Sequence, residues 1–363
     1  MSERFDIAII GAGMAGASLA AALVEAGVGQ VALLEGEAHP GYHATGRSAA
    51  FWKESYGGPG VQPLTTASGP VLTALGFLHA RGGLTIAKAG QEAALDEFVA
   101  EFSALGVAVD VLDRDQIAAL VPGLRDSWVA GAMQRECRDI DVAGLHQHYL
   151  DCARRGGVEI ICNARLAAAA RQAGGWRLTL ADGRAIGADV VVNAAGAWAD
   201  DVARMAGARP LGVQPYRRTM AQVRVAPVAD AAMPLVLAVD QTFYFKPESG
   251  RLWLTPHDET PCIACDAAPE DIDVAIAIDR LEQVVDWQVE LVEHKWAGLR
   301  SFAPDRLPIY GWDVRVPGFF WFAGQGGFGI QTAPAAAQIG AALLLGRKGG
   351  AIDPARYAPG RFD

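Results

Sequence analysis

The sequence lacks the features that mark nucleic-acid-binding, membrane-spanning and secreted proteins. It carries 31 Lys and Arg against 41 Asp and Glu, a net charge of −10, whereas a surface that binds nucleic acid needs clustered cations to neutralise phosphates. No run of about 18 apolar residues occurs without Gly or polar interruptions, so we predict no integral membrane segment. The first residues are charged and lead straight into a strand-like run, which predicts that no signal peptide is present.

Cysteine is scarce as well. Five cysteines in 363 residues do not form a disulfide framework, and this usage predicts a protein of the reducing cytoplasm. Cys262 and Cys265 have the C-x-x-C spacing of some metal and thiol redox sites, but the chain has no second such pair, and zinc sites need four ligands. Since Pro261, Asp266 and Pro269 flank the pair, we predict an irregular loop and no metal site.

The composition is that of a folded chain with room for two or three domains. Hydrophobic residues make up 51% and charged residues 20% of the sequence, which excludes a disordered protein. Helix and strand patterns alternate at the start, between residues 140 and 210, and at the end, whereas the stretches between them favour antiparallel strands. We therefore predict two interleaved domains. Beyond the N-terminal segment, the clearest patterns predict a helix over Asp141–Arg155, strands over Val158–Ile161, Ala188–Asn193, Leu211–Val225 and Phe319–Ala323, a hairpin over Gln241–Leu254, and a final helix to about Leu345.

The N-terminal 35 residues form the most informative segment. Phe5–Ile10 is a short apolar run of the kind that forms a buried parallel strand, and it is followed by GAGMAG and an Ala-rich helical stretch to about Ala26. A second apolar run, Val31–Leu34, ends in Glu35. This order predicts a β–turn–α–β unit with an acid about 20 residues after the glycines, which is the pattern of a dinucleotide-binding fingerprint.

Each glycine of this motif has a physical task. Gly11 permits the tight turn, Gly13 lets a pyrophosphate approach the backbone, and Gly16 lets the helix and the strand pack closely. The N-terminus of the helix presents free N–H groups and the positive end of its dipole to the phosphates. Glu35 can accept hydrogen bonds from a ribose diol. The sequence therefore predicts a bound dinucleotide.

Four later segments indicate which dinucleotide is bound. They are GYHATGRSAAFWKESYG at 41–57, VVNAAGAWAD at 191–200, WAGLRSF at 296–302 and GQGGFGIQTA at 324–333. With the N-terminal motif, and in this order and spacing, they resemble the D-amino-acid-oxidase-like flavoprotein superfamily. The resemblance is closest to its D-arginine-type D-amino-acid dehydrogenase branch, with glycine and sarcosine oxidases further away, and it covers nearly the whole chain.

This resemblance implies an α/β fold. An FAD-binding Rossmann-like domain of the glutathione-reductase type would be interleaved with an α+β substrate domain built on an antiparallel sheet. The FAD-binding domain would comprise residues 1–56, 140–210 and 297–363, and the substrate-binding domain residues 57–139 and 211–296.

The resemblance also implies a noncovalently bound FAD that lies extended through the first domain. His43 is the one plausible covalent anchor nearby, and it belongs to a loop motif shared with noncovalent relatives. At the adenosine half of FAD, the expected contacts are Gly11, Gly13, Ala15 and Gly16 at the pyrophosphate, Glu35 at the ribose and the backbone of Leu166 at the adenine. Along the phosphates and the flavin edge they are Thr45, Arg47 and Ser48, and a second glycine-containing flavin motif contributes Ala194 and Gly196. At the pyrimidine end of the isoalloxazine they are Gly326, Gly327, Gly329, Ile330, Gln331 and Thr332. There a helix N-terminus would stabilise the negative charge of the reduced flavin.

A substrate site beside the flavin follows from the same resemblance. Arg300 and Arg218 match the carboxylate-binding arginines of the family. Tyr244 and Tyr56 match tyrosines that form hydrogen bonds with the carboxylate or line the pocket. Gly327 and Gln331 match positions near the substrate amine and the flavin. A bidentate guanidinium suits a planar carboxylate and would fix the substrate α-carbon over the flavin.

The family reaction passes a hydride from the substrate α-carbon to flavin N5, and water hydrolyses the resulting imino acid to a 2-oxo acid and ammonia. The protein supplies orientation and electrostatics. Since no His or acid of the predicted pocket is an obvious base, we assign no catalytic base. Oxygen and a membrane quinone both stay open as the electron acceptor, and the chirality of the substrate and the oligomeric state stay open as well.

Two departures from arginine-utilising relatives bear on the substrate. Ala89, with Lys88 beside it, stands where those relatives carry a carboxylate for the substrate guanidinium, and Phe51 stands where they carry a histidine. The sequence therefore favours D-amino acids with apolar or small side chains, and a preference for D-arginine would require another acid, such as Glu54. The alternatives are a 2-hydroxy-acid or a secondary-amine (glycine/sarcosine-type) oxidoreductase and a noncatalytic flavin-binding protein.

Overall fold

The computed structural model describes residues 4–347 and 350–363 of the chain. In these ranges it contains eight α-helices and 21 β-strands. The helices are α1 (Met14–Glu25), α2 (Gln62–Ala74), α3 (Glu92–Ala104), α4 (Arg114–Leu120), α5 (Val142–Arg155), α6 (Ala199–Met205), α7 (Asp271–Glu282) and α8 (Ala333–Leu344). The strands are β1 (Arg4–Ile10), β2 (Val31–Leu34), β3 (Phe51–Trp52), β4 (Leu78–Ala80), β5 (Gly83–Lys88), β6 (Asp110–Leu112), β7 (Trp128–Gln134), β8 (Arg138–Ile140), β9 (Glu159–Ile161), β10 (Leu166–Gln172), β11 (Gly175–Leu180), β12 (Ala185–Asn193), β13 (Gln214–Ala226), β14 (Leu235–Ala238), β15 (Tyr244–Glu248), β16 (Arg251–Thr255), β17 (Thr260–Pro261), β18 (Gln288–Phe302), β19 (Ile309–Trp312), β20 (Phe319–Ala323) and β21 (Gln325–Gly326).

The first sheet contains the N-terminal unit predicted from the sequence. Its parallel core has the order β9–β2–β1–β12–β20, in which Ile7 of β1 pairs with Val31 of β2 and Val190 of β12. An antiparallel hairpin, β10–β11, extends from the first half of β12, and β19 pairs antiparallel with β20. Strands β2 and β20 are buried at every residue because both faces of this sheet are covered, which is why their sequences are continuous apolar runs.

Helices cover both faces of this sheet. On one face, α1 begins next to the carboxyl end of β1. Helices α1, α5 and α8 share one apolar core with β1, β2 and β20, and a second core fills the opposite face under β10, β11 and α6. Five of the eight buried residues of α1 are Gly, Ala or Ser, and Ala17 and Ala20 are fully enclosed. These small side chains let α1 lie close to the sheet, with its N-terminus at the carboxyl end of β1.

The second sheet has ten strands, with the order β21–β18–β13–β16–β15–β14–β5–β7–β6 and β17 attached to β13. The pairing is antiparallel except between β14 and β5. Helices α4 and α7 pack on it around a third apolar core. A small third sheet of order β3–β8–β4 positions Phe51. The predicted α/β fold class is confirmed.

The long ladder between β13 and β18 sets the spacing of two predicted site residues. In this ladder Tyr216 pairs with Arg300, and Arg218 pairs with Gly298. Because side chains alternate along a strand, Arg218 and Arg300 lie on the same face of the sheet as diagonal neighbours. The backbone register thus brings together two arginines that are far apart in the sequence.

The strands of the two sheets interleave along the chain. Those of the first sheet lie within residues 4–34, 159–193 and 309–323, and those of the second within 83–134, 214–302 and 325–326. The predicted domain limit at residue 297 falls inside β18, which stays paired with β13 up to Phe302. Helix α2, which the sequence assigned to the substrate domain, packs on α8 in the core of the first sheet. The predicted domain limits stay a prediction.

Candidate active site

A long cleft opens where the carboxyl ends of the parallel strands of the first sheet meet one face of the second sheet. It holds about 1430 Å³ of space not occupied by protein atoms, part of it open to solvent. Its walls come from the glycine turn before α1, residues 41–51, the turn after β12, strands β13, β15 and β18, and the turn before α8. Clefts at this position of a parallel sheet are typical dinucleotide sites.

The glycine turn at one end of the cleft has the geometry that close backbone approach requires. Gly11 has a φ of +104°, and a Cβ there would lie 2.5 Å from the carbonyl oxygen of Ala194. A Cβ on Gly16 would lie 1.9 Å from the carbonyl oxygen of Gly11, so a side chain at this position would force α1 away from β1. Gly11, Gly13 and Ala15 line the cleft, and Gly16 contributes through this packing.

Two side chains fix the shape of the glycine turn. Glu35 follows β2 and lines the cleft, and its carboxylate accepts hydrogen bonds from the N–H groups of Ala12 at 3.1 Å and Glu37 at 3.0 Å. Thr45 Oγ1 accepts a hydrogen bond from the N–H of Met14, the first residue of α1, at 2.9 Å. The Glu35 carboxylate keeps lone pairs for further donors, so its predicted ribose contact is compatible with this geometry.

Arg47 lines the cleft, but its guanidinium is bound to protein groups. It donates to the carbonyl oxygens of Ala267 at 2.8 Å and Ala297 at 3.0 Å, and it pairs with Asp266. The neighbouring Ser48 accepts a hydrogen bond from a backbone N–H two residues further on at 3.0 Å. Arg47 therefore holds the loop after β17 against the cleft, and its predicted contact with the cofactor phosphates stays a prediction.

The remaining walls of the cofactor region are turns. The predicted residues that line them are Ala194 and Gly196, after β12, and Gly326, Gly327, Gly329 and Ile330, before α8. The turn before α8 leads directly into a helix of 12 residues. The free N–H groups and the dipole of that helix favour negative charge at this side of the cleft.

Three further predicted cofactor residues, Gln331, Thr332 and Leu166, do not line the cleft. Gln331 is 2% exposed, and its amide donates to the Tyr56 carbonyl oxygen and to Thr65 Oγ1, both at 2.9 Å. Its side chain therefore holds the segment that carries Tyr56, and its predicted place beside the substrate amine stays a prediction. Thr332 donates to a backbone carbonyl within the turn before α8. Leu166 is buried in the core under β10 and β11, and its predicted backbone contact with adenine stays a prediction.

The other end of the cleft contains the two predicted carboxylate-binding arginines. Arg300 is 8% exposed and donates from Nη2 to the hydroxyl of Tyr56 at 2.9 Å. Its guanidinium carbon lies 5.6, 5.3 and 5.7 Å from the ring centroids of Tyr56, Phe302 and Phe328. A Cβ on Gly327 would lie 2.0 Å from Arg300 Nη2. Because residue 327 is a glycine, the Arg300 guanidinium has room at this position.

Arg218 is the diagonal neighbour of Arg300 and is 5% exposed. Its Nε donates to the carbonyl oxygen of Asp258 at 2.7 Å, whereas its buried Nη1 forms no hydrogen bond with any residue in the described part of the chain. A buried N–H without an acceptor is costly, and the carboxylate of a ligand would supply the acceptor. The pair is suited to bind one carboxylate.

Tyr244 completes the polar groups around the arginines. It is 4% exposed, lines the cleft, and donates its hydroxyl to Met220 Sδ at 3.4 Å. Burial raises the pKa of Tyr244, with Tyr56 adding to the rise, so its hydroxyl stays protonated and can donate a hydrogen bond. Burial and the charge of Arg218 lower the pKa of Arg300, but a guanidinium keeps its proton in proteins and the pair remains cationic.

The wall beside the arginines is aromatic. The ring centroid of Phe51 lies 4.7 Å from that of Tyr56 and 5.5 Å from that of Tyr244. Lys88 instead places its ammonium 5.0 Å from the ring centroid of the tryptophan at the start of β7, and Ala89 lies in an exposed turn. Neither of these two residues lines the cleft. Their predicted contact with the substrate side chain is wrong, whereas the prediction that Phe51 faces the substrate site fits its position in the cleft.

The loop after β16 adds two residues that the sequence did not reveal. His257 Nε2 lies 3.5 Å from the hydroxyl of Tyr56, and burial, assisted by Arg218 and Arg300, holds the pKa of His257 well below its ordinary value. The imidazole is therefore neutral. Glu259 forms ion pairs with both cleft arginines. The available signal was the run HDE at 257–259, one residue after a strand, but the pairing of β16 with β13 is needed to place this run beside the arginines.

Within residues 4–347 and 350–363, no group of three or more His, Cys, Asp or Glu side chains could hold a metal ion, and Cys262 and Cys265 are free thiols in the loop after β17. In the same residues, no helix has the length and apolar character needed to cross a membrane.

Comparisons with known proteins match nearly the whole chain. The family model described as "DAO: FAD dependent oxidoreductase" matches residues 6–343. Among curated proteins, the glycine oxidase of Pseudomonas aeruginosa is 30% identical, and the alignment covers 99% of each chain. The hydrogen cyanide synthase subunit HcnC of the same organism is 24% identical over 66% of this chain, and that match spans 56% of HcnC.

Solved structures of similar proteins have the same fold. Glycine oxidase from Geobacillus kaustophilus has a TM-score of 0.85 at 22% identity, with 98% of each chain covered. L-proline dehydrogenase from P. horikoshii has a TM-score of 0.88 at 19% identity, covering 100% of this chain and 98% of the other. At these identities the likeness concerns the fold and carries no substrate assignment.

Proposed function

Because the chain belongs to the DAO family of FAD-dependent oxidoreductases, we propose that it oxidises a free amino acid at its α-carbon to the 2-oxo acid and ammonia. The preferred substrate of this proposal is a D-amino acid with an apolar or small side chain. The observation that carries it is the buried pair Arg218 and Arg300 at one end of a cleft whose other end is a dinucleotide-type glycine turn.

The residues of the cleft fit FAD. Gly11 and Gly13 line the turn before α1 without side chains that would fill a phosphate position, and Glu35 offers a fixed carboxylate for a ribose. The turn that contains Gly326 and Gly327 precedes α8, and the N-terminus of this helix suits the charge of a reduced flavin. When bound, FAD supplies the hydride acceptor, flavin N5.

The side chains of this protein would bind and orient the substrate. Arg218 and Arg300 hold the carboxylate, and Tyr244 is a neutral donor beside them. A fixed carboxylate fixes the α-carbon, and alignment of this kind is worth several orders of magnitude in rate. The edge-to-face contact of Phe51 with Tyr56 forms an apolar wall for the substrate side chain.

Proton loss from the substrate amine is favoured by the same charges. The amine must be neutral when the hydride leaves the α-carbon. Two nearby guanidiniums disfavour a third cation and so lower the pKa of the substrate ammonium. Arg218 and Arg300 therefore assist this step, and the proposal keeps the sequence-based expectation of no dedicated catalytic base.

Glycine, or a secondary amine such as sarcosine, is the second candidate substrate. It is favoured by the glycine oxidase of P. aeruginosa, which aligns with 99% of this chain. A 2-hydroxy acid is disfavoured because the hydroxyl proton needs a base, and a noncatalytic role leaves the buried Arg218 Nη1 without a function.

Substrate preference is the first measurable expectation. We expect kcat/KM for D-leucine, D-methionine or D-phenylalanine to exceed that for D-arginine by at least about tenfold. An apolar side chain gains about 1.5–3 kcal/mol on burial, whereas a guanidinium against Phe51 loses hydration without new hydrogen bonds, a penalty of several kcal/mol. Steady-state curves for each D-amino acid measure the ratio, and a preference for D-arginine would contradict the assignment.

Anaerobic mixing separates the candidate functions. The yellow holoenzyme is mixed with the D-amino acids, their L-enantiomers, glycine, sarcosine and D-lactate, and bleaching of the flavin is recorded. Bleaching by D-amino acids supports the first proposal, and bleaching by glycine or sarcosine alone selects the second. Bleaching by D-lactate alone, or by no compound, rejects both. Repeating the turnover assay with oxygen or with a soluble quinone identifies the electron acceptor.

The mode of cofactor attachment is the second measurable expectation. Heat-denatured protein is expected to release its flavin as FAD, because His43 Nε2 is already paired with Glu37 Oε1 at 3.1 Å and its ring packs on Trp198 at a centroid distance of 4.7 Å. Chromatography of the supernatant identifies the flavin, with a phosphodiesterase-treated aliquot as the FMN control. Flavin that remains in the protein pellet, or FMN in the untreated supernatant, would show that the expectation is wrong.

A further inference from the structure

We propose that Glu259 is a positioning residue: its carboxylate is the internal counter-ion that holds Arg218 and Arg300 together for the carboxylate of the substrate. This inference rests on the proposed function, in which the arginine pair binds that carboxylate. Glu259 was not among the site residues expected from the sequence, and it does not itself line the cleft.

One oxygen of Glu259 joins three guanidiniums. Glu259 Oε1 lies 3.1 Å from Arg300 Nη1, 3.5 Å from Arg218 Nη2 and 2.8 Å from Arg306 Nη2. Glu259 Oε2 accepts a second hydrogen bond from Arg306 Nη2 at 2.9 Å. The carboxylate is therefore a bridge between the two cleft arginines and a third arginine outside the cleft.

The bridge engages only one terminal nitrogen of each cleft arginine. Arg218 and Arg300 line the cleft, whereas Glu259 contacts Nη2 of the first and Nη1 of the second. Arg218 Nη1 keeps no partner among the described residues, and Arg300 Nη2 faces the hydroxyl of Tyr56. Glu259 thus leaves Arg218 Nη1 and Arg300 Nη2 without a contact to its own carboxylate.

The charge of Glu259 offsets the repulsion between the two arginines. Arg218 and Arg300 are both buried and cationic, and the charge of Arg218 contributes to lowering the pKa of Arg300. Glu259 acts in the opposite direction. Without Glu259, Arg218 would keep the Asp258 carboxylate 3.7 Å from its Nε, but Arg300 would have no carboxylate partner among the described residues. Two buried like charges balanced on one side only separate or draw in water, and either change loosens a carboxylate site.

Arg306 holds Glu259 in this place. Its guanidinium carbon lies 3.9 Å from the ring centroid of Phe302, and its backbone has a φ of +64°, a conformation that non-glycine residues rarely adopt. Such backbone strain persists where surrounding contacts demand it. The strained turn and the ring contact direct Arg306 towards Glu259, whose side chain is 28% exposed.

Charge removal at this position distinguishes positioning from competition. Glu259→Gln keeps the size of the side chain and one acceptor oxygen but removes the charge. If Glu259 positions the arginines, the variant binds carboxylates more weakly. If Glu259 instead occupies the arginines in competition with the substrate, the variant binds carboxylates more tightly, because the competing negative charge is gone.

The experiment titrates pyruvate into FAD-loaded enzyme by calorimetry and measures kcat and KM with the best amino-acid substrate. For Glu259→Gln we expect a rise of about tenfold in the pyruvate Kd and in KM, with kcat within about threefold of the wild type, a modest effect because the carboxylate is partly exposed. Arg306→Gln is expected to shift both constants in the same direction by a smaller factor. Glu259→Asp, which keeps the charge, is expected to restore part of the binding.

Glu293→Gln is the matched control. Glu293 also joins two arginines, Arg224 and Arg251, on neighbouring strands of the same sheet, but outside the cleft. Its substitution is expected to leave Kd and KM unchanged. Flavin content and thermal unfolding verify folding, and if Glu259→Gln does not fold, Arg306→Gln and Glu259→Asp provide the test.

The outcomes separate this inference from the proposed function. Unchanged or tighter pyruvate binding in Glu259→Gln, while Arg300→Ala abolishes that binding, would overturn the positioning role alone. Unchanged pyruvate binding in Arg300→Ala would overturn the proposed function itself. Equal weakening in Glu259→Gln and Glu293→Gln would indicate a general charge effect and would also overturn the positioning role.

Discussion

Replacement of Arg300 by alanine is expected to lower kcat/KM for every amino-acid substrate by about two to four orders of magnitude, with FAD still bound. The substrate carboxylate would enter a buried site without its main cation, which costs roughly 3–5 kcal/mol. The cofactor contacts lie elsewhere in the cleft, at the glycine turn and Glu35, so they are retained. Steady-state kinetics and the ratio of flavin to protein absorbance measure the two parts of this expectation.

Two matched variants make the Arg300 result specific. Arg218→Ala should lower kcat/KM in the same way but less, because Arg218 shares the carboxylate with Arg300. Arg224→Ala, on the same strand as Arg218 but paired with Glu293 outside the cleft, should leave kcat/KM unchanged. Near-native kcat/KM in Arg300→Ala would mean that another group binds the carboxylate.

Replacement of Gly327 by alanine is expected to lower kcat/KM about a hundredfold without unfolding the protein. The added Cβ would lie 2.0 Å from Nη2 and 2.4 Å from Cζ of Arg300, so the guanidinium must move. This group is the end of a flexible side chain, so the fold tolerates its displacement, but a shift of about 1 Å in a positioning group can reduce the rate by a factor on the order of 100.

Kinetics, flavin content and thermal unfolding of Gly327→Ala test this expectation together. Gly29→Ala is the control for the substitution itself, because a Cβ on Gly29 would meet no atom within 4 Å and its φ is not in the left-handed region. The explanation fails if Gly327→Ala loses FAD, since the glycine would then serve the cofactor and not the space for Arg300.

The N-terminal dinucleotide unit could be predicted from the sequence because it is local. Strand β1, the glycine turn, α1 and β2 follow one another within 35 residues, and each has its own apolar pattern or turn residue. The apolar run FFWFA of β20 was also recognisable, because a strand covered on both faces is apolar at every position.

The substrate end of the cleft depends on pairing between distant segments. Arg218 and Arg300 meet through the register of β13 and β18, so the sequence pointed to them only through the family resemblance. His257 and Glu259 were missed because they occupy a loop without periodicity, and the position of that loop depends on β16 joining β13. The resemblance placed Ala89 beside the substrate side chain, whereas the structure has this residue in an exposed turn after β5 and not in the cleft lining.

The strand order of the first sheet determines when during synthesis the cofactor site can form. The chain supplies β1 first and β12 later, but the parallel core is complete only when β20, residues 319–323, pairs with β12. Helix α8, which follows β20, then covers α1, and the turn that precedes α8 provides the last wall of the cleft. Contacts between such distant segments form late and slowly, because a long stretch of chain must be closed first. FAD loading must therefore follow synthesis of nearly the entire chain, and a nascent chain that stops before α8 exposes an unfinished sheet to chaperones and proteases.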